Sequence, residues 1–289
     1  MDTLALAVAN TLVGNAPGEA ALEMHFPGPV LRFESGARFA LAGAGVEARL
    51  DEVVIPPNAA MRAWPGATLS FSAAKRGARV YLAVSGGFAV DPWLGSCSTN
   101  LAAAAGGWKG RALQRGDVLP FKKTAEFHER QAIKEPSCTA NLASLYPDDP
   151  TIRFCPGAEF DCLTGESKKQ IENASWKIAP QSNRMGYRTE GPALALNEPL
   201  QLVSSAVVPG TIQLLPGGQF IILMADCQTT GGYPRIGHVV YADLSRLAQR
   251  RAGEPFRLKQ VTLEAAYTAR REQERWLRRL RLGVQFRSH

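Results

Sequence analysis

The sequence predicts an all-β protein with a few helices, built as a barrel or sandwich, and three features predict it. Apolar and β-branched residues recur in short runs, at 29–34, 37–41, 46–50, 67–72 and 78–84, then at 151–154, 174–179, 200–207, 211–215, 219–225 and 236–241. Turn signals separate them: Pro65-Gly66, Pro156-Gly157, Pro209-Gly210 and Pro216-Gly217-Gly218. The composition agrees, because 27 Gly and 19 Pro in 289 residues suit many strands joined by tight turns, while 45% hydrophobic and 20% charged residues suit a packed core.

The elements follow in order. Asp2 reads as an N-cap, 3–13 as a short helix and Gly14-Asn15 as its stop. The first group of runs fills a domain over 1–124. Residues 125–149, with Pro136 and Pro147, read as a linker, and 150–289 as a second domain. An internal repeat relates the two. Leu31–Phe39 matches Ile152–Phe160 at five of nine positions, as strand, Gly turn, strand, with a Phe on each side. Gln114-Arg115-Gly116-Asp117 is echoed by Arg251-Ala252-Gly253-Glu254, each expected to open a strand. The offsets of 121 and 137 residues are each about one domain. The last helix is expected over 262–281, with Leu263, Tyr267, Leu277 and Leu280 as its apolar stripe and Glu274–Arg278 as an i,i+4 pair.

The charge narrows the function classes. The formal net charge is +7, but residues 246–289 alone hold 12 basic and four acidic groups, leaving the rest at −1. The basic balance therefore belongs to the tail, as a solvated helix or a docking face, and does not describe a nucleic-acid-binding protein. No apolar run approaches the ~18 residues of a membrane span. Asp2 stands where a signal peptide would carry positive charge, and five cysteines without C-x-x-C spacing read as reduced thiols, so a cytoplasmic location is expected. There is no P-loop, no strand–G-x-G-x-x-G–helix, no Cys/His cluster for a metal and no G-x-S-x-G elbow. No Lys sits in an Ala-Met-Lys-Met setting, so no biotin is expected on this chain.

Three polar, Gly-rich blocks follow strands. The first contains Ser85-Gly86-Gly87-Phe88 and Leu94–Asn100, with Ser96, Ser98 and Thr99 as secondary candidates; Cys97 reads as a tolerated thiol. The second is Ser182–Pro192, where Arg184 and Arg188 share a face if the segment alternates as a strand, and Tyr187 lies between them. Two guanidinium forks suit an acidic substrate; two solvated cations are the plainer reading. The third is Asp226–Arg235. Gln228, Thr229 and Thr230 offer an amide and two hydroxyls, Gly231 and Gly232 offer backbone N–H groups, and Tyr233 and Arg235 complete a possible clamp. A tight turn with self-satisfied hydroxyls accounts for the same residues.

Taken together and in this order, the blocks resemble the biotin-dependent carboxyltransferase, or allophanate hydrolase subunit 2, family. The resemblance runs through Tyr81–Asp117, Ser182–Leu194 and Phe220–Leu258, most specifically Met185-Gly186-Tyr187-Arg188 and Gln228–Pro234, and includes Leu6–Glu23. It implies two cyclophilin-like β-barrel domains. It also implies the role of the C-type subunit in an ATP-dependent 5-oxoprolinase, a lactam hydrolase active only with B-type and A-type partner subunits. Direct ATP binding by this chain is not implied. Carboxyltransfer to urea or a related amide, and a non-enzymatic regulatory module, are the alternatives. Cys97 and Asn100 stand where the family has Arg and Asp, and Thr189 where it has Leu. Family members usually carry a further amino-terminal segment with Gln-Asp-Leu-Gly-Arg, so either a mis-assigned start or a shortened member is expected here.

Overall fold

The computed structural model describes residues 1–123 and 138–287, so the first part of the expected linker, 125–137, lies outside the described residues. The chain forms two compact units: Asp2–Ser144 with the residues from Arg275 onward, and Leu145–Glu274 with Met1.

The first unit contains α1 (Thr3–Leu12), β1 (Leu22–His25), β2 (Leu31–Arg32), β3 (Ala37–Gly45), β4 (Ala48–Leu50), β5 (Val53–Ile55), β6 (Ala59–Ala63), β7 (Thr68–Phe71), β8 (Arg76–Val84) and β9 (Cys138–Thr139). The start of α1 is set as expected: Asp2 Oδ1 accepts the Ala5 N–H at 2.9 Å. Leu4, Val8 and Leu12 of the helix are buried at four-residue spacing. The strands form a five-stranded sheet, β1-β8-β3-β6-β9, and a four-stranded sheet, β2-β7-β4-β5. A register shift between Gly43 and Gly45 bends β3 just before the chain enters β4 in the other sheet. Phe39, Val80 and Leu82 of one sheet, Leu50 and Leu69 of the other, and Phe33 just after β2 share one core. Where the family resemblance implies a barrel, the described strands of this unit make two sheets around a core. The edges are β1 and β9 of one sheet and β2 and β5 of the other, and among the described residues no ladder joins them.

The second unit is a closed barrel. Its elements are β10 (Thr151–Pro156), a 3₁₀ turn (Phe160–Cys162), α2 (Gly165–Asn173), β11 (Trp176–Ile178), β12 (Gly186–Glu190), β13 (Ser205–Ala206), β14 (Thr211–Leu214), β15 (Phe220–Leu223), β16 (Thr230–Gly231), β17 (Arg235–Val239), α3 (Tyr241–Ala248) and β18 (Pro255–Gln260). The ring runs β10-β17-β14-β15-β12-β11-β18 and closes by a parallel pairing of β10 with β18, from Thr151↔Arg257 to Phe154↔Gln260. Phe154, Trp176, Phe220, Ile222, Ile236 and Phe256 fill it. Trp176 lies edge-on to Phe220 at 4.6 Å and donates its indole N–H to Ile171 O at 3.0 Å, so the largest buried ring has no unpaired polar atom.

The all-β expectation is met, and the repeat has a physical basis. Phe33 and Phe39 pack with ring centroids 5.1 Å apart, and their counterparts Phe154 and Phe160 at 6.1 Å. The second copy differs in backbone, since Phe160 starts a 3₁₀ turn rather than a strand. The shorter echo is one turn built twice. Asp117 N–H donates to Gln114 O and Glu254 N–H to Arg251 O, both at 3.1 Å, around Gly116 and Gly253 at φ 91° and 79°. In each, the acid's carboxylate accepts the first residue's N–H, at 2.8 and 3.1 Å. Only the second copy opens a strand, β18.

The final helix, α4 (Leu263–Arg287), is longer than expected and differs in face. Leu263 and Tyr267 are exposed, while Ala269, Gln273 and Val284 are buried, with Leu277 and Leu280 half-buried. The buried stripe is thus shifted around the helix from the apolar letters. Glu274 pairs with Arg270 at 2.8 Å and not with Arg278. No helix among the described residues is long and apolar enough to cross a membrane.

Candidate functional site

The second and third blocks meet on the outer face of the barrel. Opposed residues of adjacent antiparallel strands share a face, and the registers Arg188↔Ile221, Ile221↔Gln213 and Gln213↔Arg235 draw one row across β12, β15, β14 and β17. After β15 the chain turns at Ala225-Asp226, passes Cys227–Thr229 and returns as β16. There Thr230 and Gly231 pair with Ala206 and Ser205 in a separate two-stranded ribbon. Gln213 ends up buried, donating its amide N–H toward Tyr233 O at 3.4 Å. A Cβ on Gly231 would lie 2.6 Å from Gln213 Nε2, so a larger residue there would displace the Gln213 amide beneath the segment.

Gln228, Thr229 and Thr230 are exposed, and among the described residues their side chains have no hydrogen-bond partner. Tyr233 is half exposed. The block is therefore not a self-satisfied turn; its polar groups face solvent from a short ribbon. Gly231 is committed to the ladder with Ser205, whereas Gly232 lies beyond it.

The arginines separate into two kinds. Arg184 precedes β12, so it is not on one strand face with Arg188. Its Nε and Nη2 bind Asp226 Oδ2 and Oδ1 at 2.7 and 3.1 Å. Arg235 gives its backbone N–H and Nε to Glu159 Oε2 at 2.8 and 3.0 Å, and Nη2 to Oε1 at 2.8 Å. Arg184, expected with Arg188 to take a substrate carboxylate, and Arg235, expected to complete a clamp, each hold an internal carboxylate through one bidentate edge. Arg188 alone of the three projects from its strand with no side-chain partner among the described residues. Tyr187, expected as a binding residue, is 3% exposed and part of the barrel core, since alternation along β12 turns it inward when Arg188 turns out.

Hydrogen bonding from Arg235 holds the Glu159 carboxyl below its usual value, and that guanidinium is correspondingly raised. A carboxyl with a depressed folded value contributes stability above its unfolded pKa of about 4.5 and loses it as pH falls through the folded value. The Glu159→Gln variant is accordingly expected to show a flatter acid limb in a plot of melting temperature against pH, converging on the parent at low pH. Burial pushes the Cys227 thiol up, which does not suit a nucleophilic role. Burial, then the Arg235 charge, keeps His238 neutral more readily than a free imidazole, with Nδ1 3.3 Å from Thr211 Oγ1.

The first block belongs to the other unit. Trp93 and Ser96 close a tight turn through Leu94 and Gly95, and Ser96 Oγ accepts the Ser98 N–H at 3.1 Å, so the Ser96 hydroxyl serves the turn. Ser98 is exposed and Thr99 half-buried, while Cys97 packs against the core. Arg111 forks onto Asp117 with both contacts at 2.7 Å, and this holds the Asp117 carboxyl far below the usual range. Among the described residues no group of His, Cys, Asp and Glu is arranged to hold a metal, and all five cysteines are free thiols.

Sequence reasoning did not assign Glu159, Asp226 or Gln213. Asp226 opens the third block and Gln213 sits at an outward position of a strand, but Glu159 carries no local signal at all.

The family model described as carboxyltransferase domain, subdomain A and B, matches residues 1–260. The chain is 40% identical over 286 residues to the C-type subunit of 5-oxoprolinase from Escherichia coli (strain K12), covering 97% of this chain and 87% of that protein. It is 38% identical to the protein of the same name from Haemophilus influenzae, covering 97% and 88%. Among solved structures, the K. lactis urea amidolyase superposes with a TM-score of 0.87 at 27% identity, over 97% of this chain but 18% of that much longer one.

Proposed function

Because the chain belongs to the carboxyltransferase domain family, subdomains A and B, we propose that it is the C-type subunit of an ATP-dependent 5-oxoprolinase, opening 5-oxo-L-proline to L-glutamate together with partner proteins. The observation that carries this reading is 40% identity to a protein of that name across nearly the whole of both chains. The site chemistry suits it. Arg188 supplies a free guanidinium for the substrate carboxylate. Gln228 and the Thr229 and Thr230 hydroxyls can hydrogen-bond the lactam amide, and the Gly232 N–H can stabilise charge on its carbonyl oxygen as the ring opens. Tyr233 walls the site, Tyr187 supports it from the core, and Gly231 allows the close approach.

ATP is used by the complex, and this chain itself has no P-loop. The partners are a B-type and an A-type 5-oxoprolinase protein, and the five free thiols fit a cytoplasmic location. No biotinyl-Lys motif is present, which leaves any biotin to another chain. The likeness to the K. lactis urea amidolyase supports a second reading, carboxyltransfer to urea or a related amide. Co-purification with the two partners, followed by assay of glutamate released from 5-oxoproline, tests the choice. Release is expected only with ATP and all three proteins present. A stable complex that releases none, but carboxylates urea when given a biotinylated partner, would replace the first reading with the second.

A further inference from the structure

We propose that the Arg184–Asp226 and Glu159–Arg235 pairs are positioning devices that clamp the two ends of the Asp226–Arg235 segment and fix the exposed side chains between them. The proposal rests on reading that segment as substrate-facing. The pairs fall on its first and last residues, and each partner comes from elsewhere in the barrel, 42 and 76 residues away. Each clamp is doubled through the backbone. The Asp226 N–H donates to Arg184 O at 2.9 Å, and the Glu159 N–H to Arg235 O at 3.2 Å. Arg–carboxylate forks fix direction as well as distance, because two parallel N–H···O bonds hold both planes. Between the clamps, Gln228, Thr229 and Thr230 make no side-chain bonds among the described residues, so their orientation depends on the backbone that carries them. That backbone is held by the two-residue strand β13 and by three further bonds, from Val207 N–H to Thr229 O at 3.0 Å, from Leu214 N–H to Pro234 O at 2.9 Å and from the Gln213 amide to Tyr233 O at 3.4 Å. None of these bonds reaches Cys227 or Gln228 from another strand, so that half of the segment depends on its held ends to stay in place.

A direct role, with Arg184 and Arg235 as ligands of the substrate carboxylate, predicts different behaviour. The test uses Asp226→Asn and Glu159→Gln, near-isosteric changes that remove the charge, with Arg235→Lys as a further variant that keeps charge but loses the fork. Amide hydrogen exchange is followed in the full chain, and kcat and KM for 5-oxoproline in the complex with its partners. Exchange across 227–233 is expected to speed up by about tenfold or more, with the rest of the barrel unchanged. Turnover should fall mainly in kcat, because misplaced groups lose transition-state contacts. Unchanged exchange in that segment for all three variants would overturn the proposal, as would a pure rise in KM. The exchange measurement decides the clamp even if the wild-type complex does not open 5-oxoproline, so failure of the proposed activity stays distinct.

Discussion

Replacing Arg188 by Gln in the assembled complex is expected to raise KM for 5-oxoproline on the order of 10²-fold while kcat changes only a few-fold, since a charge-assisted hydrogen bond made equally to ground and transition state is lost. Elimination within a single face singles this residue out. Three arginines belong to the second and third blocks, and two are forked onto Asp226 and Glu159. Arg188 stands on β12 in the cross-strand row that leads to Gln213 and the overlying segment. A carboxylate on a small lactam therefore has one guanidinium available among them. The control is 2-pyrrolidinone, the same ring without the carboxylate: its inhibition constant should be equal for wild type and variant. If Arg188→Gln lowered kcat with KM untouched, or weakened both ligands alike, Arg188 would not be the carboxylate contact. Arg188→Lys should recover part of the loss, because a point charge replaces the fork without its second hydrogen bond.

How far the sequence shows this site depends on which residues carry it. The polar letters of 228–233 and the outward Arg188 are visible locally, because composition and alternation act over a few residues. The pairing that disarms Arg184 and Arg235 is not, because ion pairs formed across 42 and 76 residues leave no mark in local spacing. The fold divides in the same way. The helix cap at Asp2 and most β-branched runs read correctly. By contrast β6, Ala59–Ala63, is rich in Ala and is a strand because β3 and β9 hold it on both sides. β18 opens on Pro255 and is held between β10 and β11. The run 236–241 ends as the start of α3, and 200–207 keeps only Ser205–Ala206 as strand, since β16 offers it just two partners. On α4 the buried stripe includes Gln273, which donates to Ala242 O at 3.5 Å, and excludes Leu263 and Tyr267. Tertiary contact, not hydrophobicity of the letters, selects that face.

The same distinction between a charge's letter and its setting predicts the largest stability effect. Asp243, at the start of α3, is fully buried. Its carboxylate accepts the Arg153 backbone N–H at 2.8 Å, Arg153 Nε at 2.9 Å and Nη2 at 2.6 Å, and Arg246 Nη1 at 3.3 Å. Arg153 lies on β10, the strand through which the barrel closes onto β18, with Arg153 opposite Lys259 in the parallel register. Removing the carboxylate leaves a strand N–H and two guanidinium groups around a buried void at that seam. Asp243→Ala is expected to cost roughly 3–5 kcal/mol, as for breaking a buried ion pair from one side. Asp243→Asn should cost about 1–3 kcal/mol, because one acceptor remains. Urea midpoints at constant m-value measure both. Glu274→Ala removes an equally well-formed contact to Arg270 on the exposed face of α4, where both side chains are about half exposed. Solvent already screens that pair, and its loss should not move the midpoint measurably. Equal effects from Asp243→Ala and Glu274→Ala would mean that the barrel seam does not depend on this carboxylate, and that burial is not what sets its worth.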